Sequence, residues 1–229
     1  MENNLQKILS EASSAIGVIL GEREIALFQE YYRELVFWNN KFNLVSVKSA
    51  LDIPIKHFVD SLIPLQFMEN KSGSLLDIGT GAGFPGIPLK IAMNSLKISL
   101  LDSSRKKTSF LKNIIRKLRL DHTTVINRRV ELLMKDETYR GAFDVVISRA
   151  SFKLPQFLEI GAYFIPPGGA LIAMKGADIH KELEQAEEIS RKVGLEHTGC
   201  HEIRLPITGD FRNIIIYKKQ NISIQPPRH

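Results

Sequence analysis

Apolar positions in the first 70 residues recur with the period of a helix. Leu5, Ile8, Leu9, Ala12 and Ile16 form one stripe; Ile25, Phe28, Tyr32, Leu35 and Val36 form another. Gly21 separates the two, and Asn39-Asn40 is placed to end the second. A third apolar stretch runs through Ile55 and Leu62, and nothing before residue 72 has a strand period. From Ser74 the pattern changes to short apolar runs at 75–78, 97–101, 123–126, 143–147 and 170–174, separated by helical segments. That alternation predicts a parallel sheet with helices on both faces. Two last runs, 196–203 and 211–218, flank a loop with Pro206 and Gly209 and should pair antiparallel. The expected organisation is a helical N-terminal cap over 1–72, a Rossmann-like α/β domain over 73–219 and a flexible tail over 220–229.

Where the first strand ends, glycines fall at alternate positions: Asp77-Ile78-Gly79-Thr80-Gly81-Ala82-Gly83-Phe84-Pro85-Gly86. Strand, glycine loop and helix in that order turn backbone N–H groups toward a ligand at a helix N-terminus. Gly81, Gly83 and Gly86 satisfy the dinucleotide spacing, and Asp102 follows at a distance suited to a ribose. Read from Asp77, the run is D-x-G-x-G-x-G, as in enzymes that use S-adenosylmethionine. Charge separates the readings: a carboxylate at 77 would repel a pyrophosphate and attract the donor's ammonium and sulfonium groups. Alternating units closed by an antiparallel hairpin also suit a class I S-adenosylmethionine methyltransferase, whereas nicotinamide dehydrogenases usually continue with parallel units. A turn with no ligand is the bland alternative, but three alternating glycines lower stability without some return.

Composition narrows the setting. The single cysteine, Cys200, excludes a disulfide framework or a Cys-rich metal site and fits a reducing compartment. No apolar run approaches the roughly 20 residues of a membrane span, and the polar start Met-Glu-Asn-Asn is unlike a signal peptide. The expectation is a cytoplasmic monomer that uses neither membrane nor metal. Net charge is +6 but unevenly placed: residues 1–72 hold 7 basic and 9 acidic side chains, residues 104–135 hold 10 and 2. Such an excess points to a polyanionic partner, although basic surfaces also occur without one.

Ligands in open parallel sheets bind beyond the carboxyl ends of the strands, which selects Asp77, Gly79, Asp102, Arg149 and Lys175. Asp102 can accept from both ribose hydroxyls; its alternative role is to start the next helix beside Ser103. Backbone groups near Val130 and Glu131 follow the third strand, where an adenine would lie. On the helix expected over 105–119, Phe110, Leu111, Ile114, Ile115 and Leu118 share one arc, with Arg105, Lys112, Arg116 and Arg119 opposite. That basic stripe could track a phosphate backbone or be a solvated face. The segment Ser148-Arg149-Ala150-Ser151-Phe152 lacks the motif that holds an exocyclic base nitrogen, and Cys200 lies far from any place for a pyrimidine-carbon nucleophile. A ring nitrogen such as guanine N7 needs neither, nor a general base, because its lone pair is free.

The residues at 77–89, Asp-Ile-Gly-Thr-Gly-Ala-Gly-Phe-Pro-Gly-Ile-Pro-Leu, together with Leu-Leu-Asp-Ser at 100–103, closely resemble the glucose-inhibited division protein B family. Arg-Val-Glu (129–131), Val-Ile-Ser-Arg-Ala (146–150), Met-Lys-Gly (174–176) and Trp-Asn-Asn-Lys-Phe-Asn-Leu (38–44) agree with it, as do His57 and Asp60-Ser61-Leu62. The resemblance implies methyl transfer from S-adenosylmethionine to guanine N7 in small-subunit (16S) ribosomal RNA, free or in the assembled subunit. It implies cofactor contacts at Gly79, Phe84, Val130, Glu131 and Arg149, alongside Asp77, Gly81, Gly83, Asp102 and Ser103 from the loop and strand readings. Arg149 stays open, since a guanidinium there could equally hold the guanine O6. Asn43, His57, Asp60 and Lys175 match family positions near the expected RNA side, with Arg105, Lys112, Arg116 and Arg119 as the basic stripe. Phe42 could stack on an unpaired base, with core packing as its alternative. A non-catalytic RNA-binding factor that keeps the fold for stability is the competing reading of the whole chain.

Overall fold

Leu75, Leu76 and Ile78 are buried, as a strand covered on both faces must be, and they occupy the middle of a seven-stranded sheet. The structure, a computed structural model, describes residues 2–69 and 72–221. Helices α1 (Glu2–Ala15) and α2 (Glu22–Phe42) come first, then a π-helical segment Asp52–Val59 leading through α3 (Asp60–Leu62) into a 3-10 turn. The sheet domain alternates β1 (Ser74–Ile78), α4 (Gly86–Ala92), β2 (Lys97–Leu101), α5 (Arg105–Leu118), β3 (Thr123–Ile126), α6 (Val130–Leu133), β4 (Val145–Arg149), α7 (Leu154–Phe164), β5 (Ala170–Lys175) and α8 (His180–Lys192). Strands β6 (Leu195–Arg204) and β7 (Phe211–Lys219) close it. The spatial order is β3-β2-β1-β4-β5-β7-β6, parallel except for β7, which runs antiparallel to both β5 and β6. Strand order reverses at β1, between β2 and β4.

Two elements differ from the periodicity by more than one residue at a boundary. Helix α2 continues through Asn39-Asn40 because Asn39 stays helical while its side chain accepts from Val45 N at 2.8 Å. The break comes at Asn43, which is left-handed (φ 49°) and donates its N–H back to Asn39 O at 3.0 Å. Strand β4 starts and ends two residues later than expected, since Arg149 still pairs with Met174 of β5. Of the tail expected over 220–229, residues from 222 on lie outside the described residues.

Alternation along β1 sends Leu76 and Ile78 to the face covered by α6, α7 and α8, and Leu75 to the face shared by α4, α5 and the N-terminal helices. On that second face one apolar core runs without interruption from Leu5 and Leu9 through Phe28, Tyr31 and Phe58 to Leu100 and Phe110. Cap and sheet are therefore held by common packing. Tyr31 of α2 is central: fully buried, it stacks on Phe58 and Phe84 with centroids 5.0 and 5.6 Å apart, and its hydroxyl donates to Ala82 O in the glycine loop.

Beside this aromatic cluster lies a charged joint. Asp60, 3% exposed, accepts through Oδ2 from Arg149 Nη1 and Arg212 Nε, each at 3.2 Å. Arg149 also donates to Lys56 O at 2.9 Å, and its guanidinium sits 5.0 Å over the Phe84 ring. His57 stacks on Phe84 at 5.0 Å, with Nδ1 3.1 Å from Arg149 Nη2 and Nε2 3.4 Å from Ser46 O. A carbonyl can only accept, so Nε2 carries the proton and Nδ1 receives the arginine's. Burial, reinforced by the Arg149 charge, lowers the His57 pKa to about 4.

Asp60→Ala would leave two half-buried guanidiniums without their shared carboxylate, and urea denaturation should show a loss of about 3 kcal/mol. A loss below about 1 kcal/mol would mean that solvent already screens the pair. For His57, the unfolded chain takes up a proton as pH falls from 6.5 toward 4 while the folded chain does not, so stability drops across that window. Asp77, pushed up to about 7 by burial, contributes the opposite slope between about 4 and 7, so a difference between variant and parent is needed. His57→Asn should reduce the slope of stability against pH by up to about 1.4 kcal/mol per unit there. An unchanged slope would place the histidine in contact with water.

Candidate active site

At the carboxyl ends of β1, β2 and β3 a cleft of about 300 Å³ opens, at the lower end of the range for small-molecule sites. Gly79, Asp102, Ser103, Val130 and Glu131 line it, with Ile78, Leu101, Arg128, Arg129 and Phe152. The loop above it prolongs the sheet: Gly79 N and Thr80 N both donate to Leu101 O, at 2.9 and 3.1 Å. Gly79, Gly81 and Gly83 all have positive φ (73°, 62° and 103°), a backbone that other residues adopt only under strain. Asp102 organises the floor of the site. Its Oδ2 accepts from Gly81 N at 3.0 Å and its Oδ1 from Ser104 N at 2.8 Å, while Lys107 Nζ stands 4.0 Å away. Each carboxylate oxygen keeps a lone pair for a further donor from the cleft.

Asp77 requires a correction. It does not face the cleft; it is fully buried beneath the loop, on the α4 side of β1. Its Oδ2 accepts from Thr80 Oγ1 at 2.6 Å and from Gly86 N at 2.8 Å, so the carboxylate fastens the loop's beginning to the start of α4. Attraction to a bound cation is therefore not what its position expresses. Phe84 likewise turns inward, 3% exposed, into the cluster of Tyr31, His57 and Phe58. Gly83 sits where an added Cβ would come within 2.8 Å of Tyr31 Oη and 2.6 Å of Ile87 Cγ1, so its smallness admits the cap.

The remaining expected residues divide by location. Arg149, His57 and Asp60 make the joint between cap and sheet described above and do not line the cleft. Lys175 Nζ is occupied by Phe152 O and by Glu182 Oε2, the latter at 2.7 Å, and Glu182 also accepts from Leu154 N. It braces the β4–α7 loop. That loop turns through Ala150 at φ 55°, and Ser151 Oγ donates to Gly79 O at 2.9 Å, which brings Phe152 to the rim. Asn43 is exposed at the end of α2, and Arg105, Lys112, Arg116 and Arg119 are exposed along or just beyond α5. Arg105 starts the helix at the cleft, whereas Arg116 and Arg119 lie about 16–21 Å further along it. Sequence reasoning missed Tyr31, Phe152, Glu182 and Arg212, which meet Ala82, Lys175, Leu154 and Asp60 across 51, 23, 28 and 152 residues. Arg129, next to Val130, could have been found from its position after the third strand.

Among the described residues no group of three or more His, Cys, Asp or Glu could hold a metal ion, and no helix is long and apolar enough to cross a membrane. Solved structures share the fold. A SAM-dependent methyltransferase from Aquifex aeolicus superposes with TM-score 0.55 at 16% identity, covering 74% of this chain and 94% of that one. TYW2 of M. jannaschii in complex with AdoMet gives 0.53 at 15% identity, covering 71% and 76%. Closer relatives emerge from sequence. The "Ribosomal RNA small subunit methyltransferase G" of Syntrophus aciditrophicus (strain SB) is 46% identical over 214 residues, 93% of this chain and 89% of the relative. That of Carboxydothermus hydrogenoformans is 39% identical over 229 residues, 100% and 96% of the two chains. The family model described as rRNA small subunit methyltransferase G matches residues 24–207, and the chain belongs to this GidB family.

Proposed function

We propose that this chain transfers a methyl group from S-adenosylmethionine to N7 of a guanine in small-subunit (16S) ribosomal RNA, acting as a monomer in the cytoplasm. The observation that carries the proposal is the glycine loop tied to Asp102 over a cleft at the point where strand order reverses, in a chain of this family. The donor set suits the cofactor. Asp102 offers acceptors for a ribose, Ser103 and Gly79 border the same cleft, and Val130 and Glu131 line it after the third strand, where an adenine would lie. Gly81, Gly83, Phe84 and Asp77 act behind them by fixing the loop's course. When bound, the cofactor supplies an electrophilic methyl group on a sulfonium.

The chain's own part is then alignment. His57 is neutral and engaged at both ring nitrogens, and Lys175 is held by Phe152 and Glu182, so neither stands ready as a general base. Guanine N7 asks for none, because no proton leaves before attack. Holding nucleophile, methyl and sulfur in line can contribute roughly 7–11 kcal/mol. The rim formed by Phe152 and the strut from Lys175 would orient the acceptor, with Arg149 fixing the cap against the sheet.

Asp102→Ala should weaken S-adenosylmethionine binding at least about tenfold in isothermal titration, with RNA affinity nearly unchanged; equal losses in both would misplace the site. Mapping N7-methylguanine in 16S ribosomal RNA from cells with and without the protein should show one modification missing. An identical map would refute the reaction.

A further inference from the structure

Helix α2 ends in a pair of rings that the core does not cover. Phe37 is 55% exposed and Phe42 40%, and Val47 in the loop that follows is 43% exposed. Phe42 is nonetheless supported: its ring lies 5.4 Å from Trp38, which packs edge-on 5.7 Å from the fully buried Phe110 of α5. Lys41 Nζ sits 4.2 Å over the Phe37 ring. Core packing therefore covers Phe42 only in part. Its ring faces water on a preorganised backing, which lowers the entropy lost when something stacks on it.

Charge indicates what that something is. No aspartate or glutamate occurs between residues 35 and 51 or between 103 and 120, and these two stretches carry nine lysines and arginines. Of these, Lys41, Lys48, Arg105, Lys106, Lys112, Arg116 and Arg119 are exposed. The acids of α2 lie toward its other end, where Glu30 and Glu34 bind Lys117 at 3.2 and 2.5 Å. With Lys117 against Glu30 and Phe110 against Trp38, α2 and α5 run antiparallel. Continuing that run brings Phe42 level with the first turn of α5, next to Ser103 in the cleft wall. The loop beyond Phe42 then returns to His57 through Ser46, beside Phe84 and Arg149.

Resting on the ribosomal-RNA reading above, we propose that Phe42, backed by Trp38, forms a stacking platform for an unpaired base of the RNA substrate, with Phe37, about 140° round the helix, as a second exposed ring beside it. Lys41, Arg105, Lys106 and Lys112 hold the adjoining phosphates and lead the strand into the cleft. Exposed rings interleaved with cations suit a single strand, whose bases can lie flat on them. A continuous duplex presents its backbone and minor groove and would make no use of the rings.

The test compares parent, Phe42→Ala, Phe37→Ala/Phe42→Ala, Phe42→Trp and Lys41→Gln/Arg105→Gln/Lys112→Gln. Each is bound to a protein-free 16S ribosomal RNA transcript and to assembled small subunits over a salt series, with S-adenosylmethionine affinity measured separately. Phe42→Ala should weaken RNA binding about tenfold and raise KM for RNA, with the salt slope and S-adenosylmethionine affinity unchanged. Phe42→Trp should bind as the parent does. The triple glutamine variant should flatten the log–log salt slope by about 2, at roughly 0.7 per phosphate contact on a single strand. Parental RNA affinity in the double alanine variant would overturn the platform. So would an equal loss in Phe42→Trp, a loss of S-adenosylmethionine binding in Phe42→Ala, or an effect on assembled subunits alone, which would indicate a protein partner. A parent that binds no S-adenosylmethionine would refute the methyl-transfer reading, while the RNA titrations would still decide on the platform.

Discussion

A glycine loop that opens a ligand cleft must be flexible enough for its unusual backbone and yet be held in one shape, and here a buried carboxylate does the holding. Asp77 takes donors from Thr80 and Gly86, at opposite ends of the loop, through one oxygen. The loop's other attachments build on that closure: Leu101 O receives two of its N–H groups, and Asp102 receives a third. From above, Tyr31 grips Ala82 O and packs on Phe84. The N-terminal helices are thus part of the glycine loop's support, which explains why they and the sheet share one core.

Charge is sorted by depth. Inside, every cation near the joint has a defined partner: Arg149 and Arg212 share Asp60, and His57 is kept neutral by burial against Arg149. Outside, α5 and the end of α2 present lysine and arginine without acids among them. Buried groups fix geometry because desolvated charges tolerate few arrangements, whereas exposed ones attract a polyanion at long range without dictating its pose. Methyl transfer by alignment needs both. The joint at Asp60 ties the segment after α2 to the ends of β4 and β7.

The element order, the parallel sheet with its antiparallel close, the glycine loop and Asp102 at a strand end were legible in the sequence alone. Each depends on local period or short spacing, which the backbone's geometry converts directly into structure. The direction of side chains toward distant neighbours was not legible. Asp77 could be read as facing a ligand or the core, and only the packing of β1 against α4 turned it inward. Arg149, Asp60, His57 and Lys175 were expected to meet cofactor or RNA, and the fold engages them instead with Lys56, Arg212, Phe152 and Glu182. Phe42 stays 40% exposed although its ring meets Trp38, which in turn packs on the buried Phe110. The sequence by itself determined which elements alternate along the chain and that the glycine loop and Asp102 lie at strand ends. Tertiary structure decided which charges and rings are engaged and which stay exposed, because contacts such as Asp60 to Arg212, 152 residues apart, exist only once the chain has closed on itself.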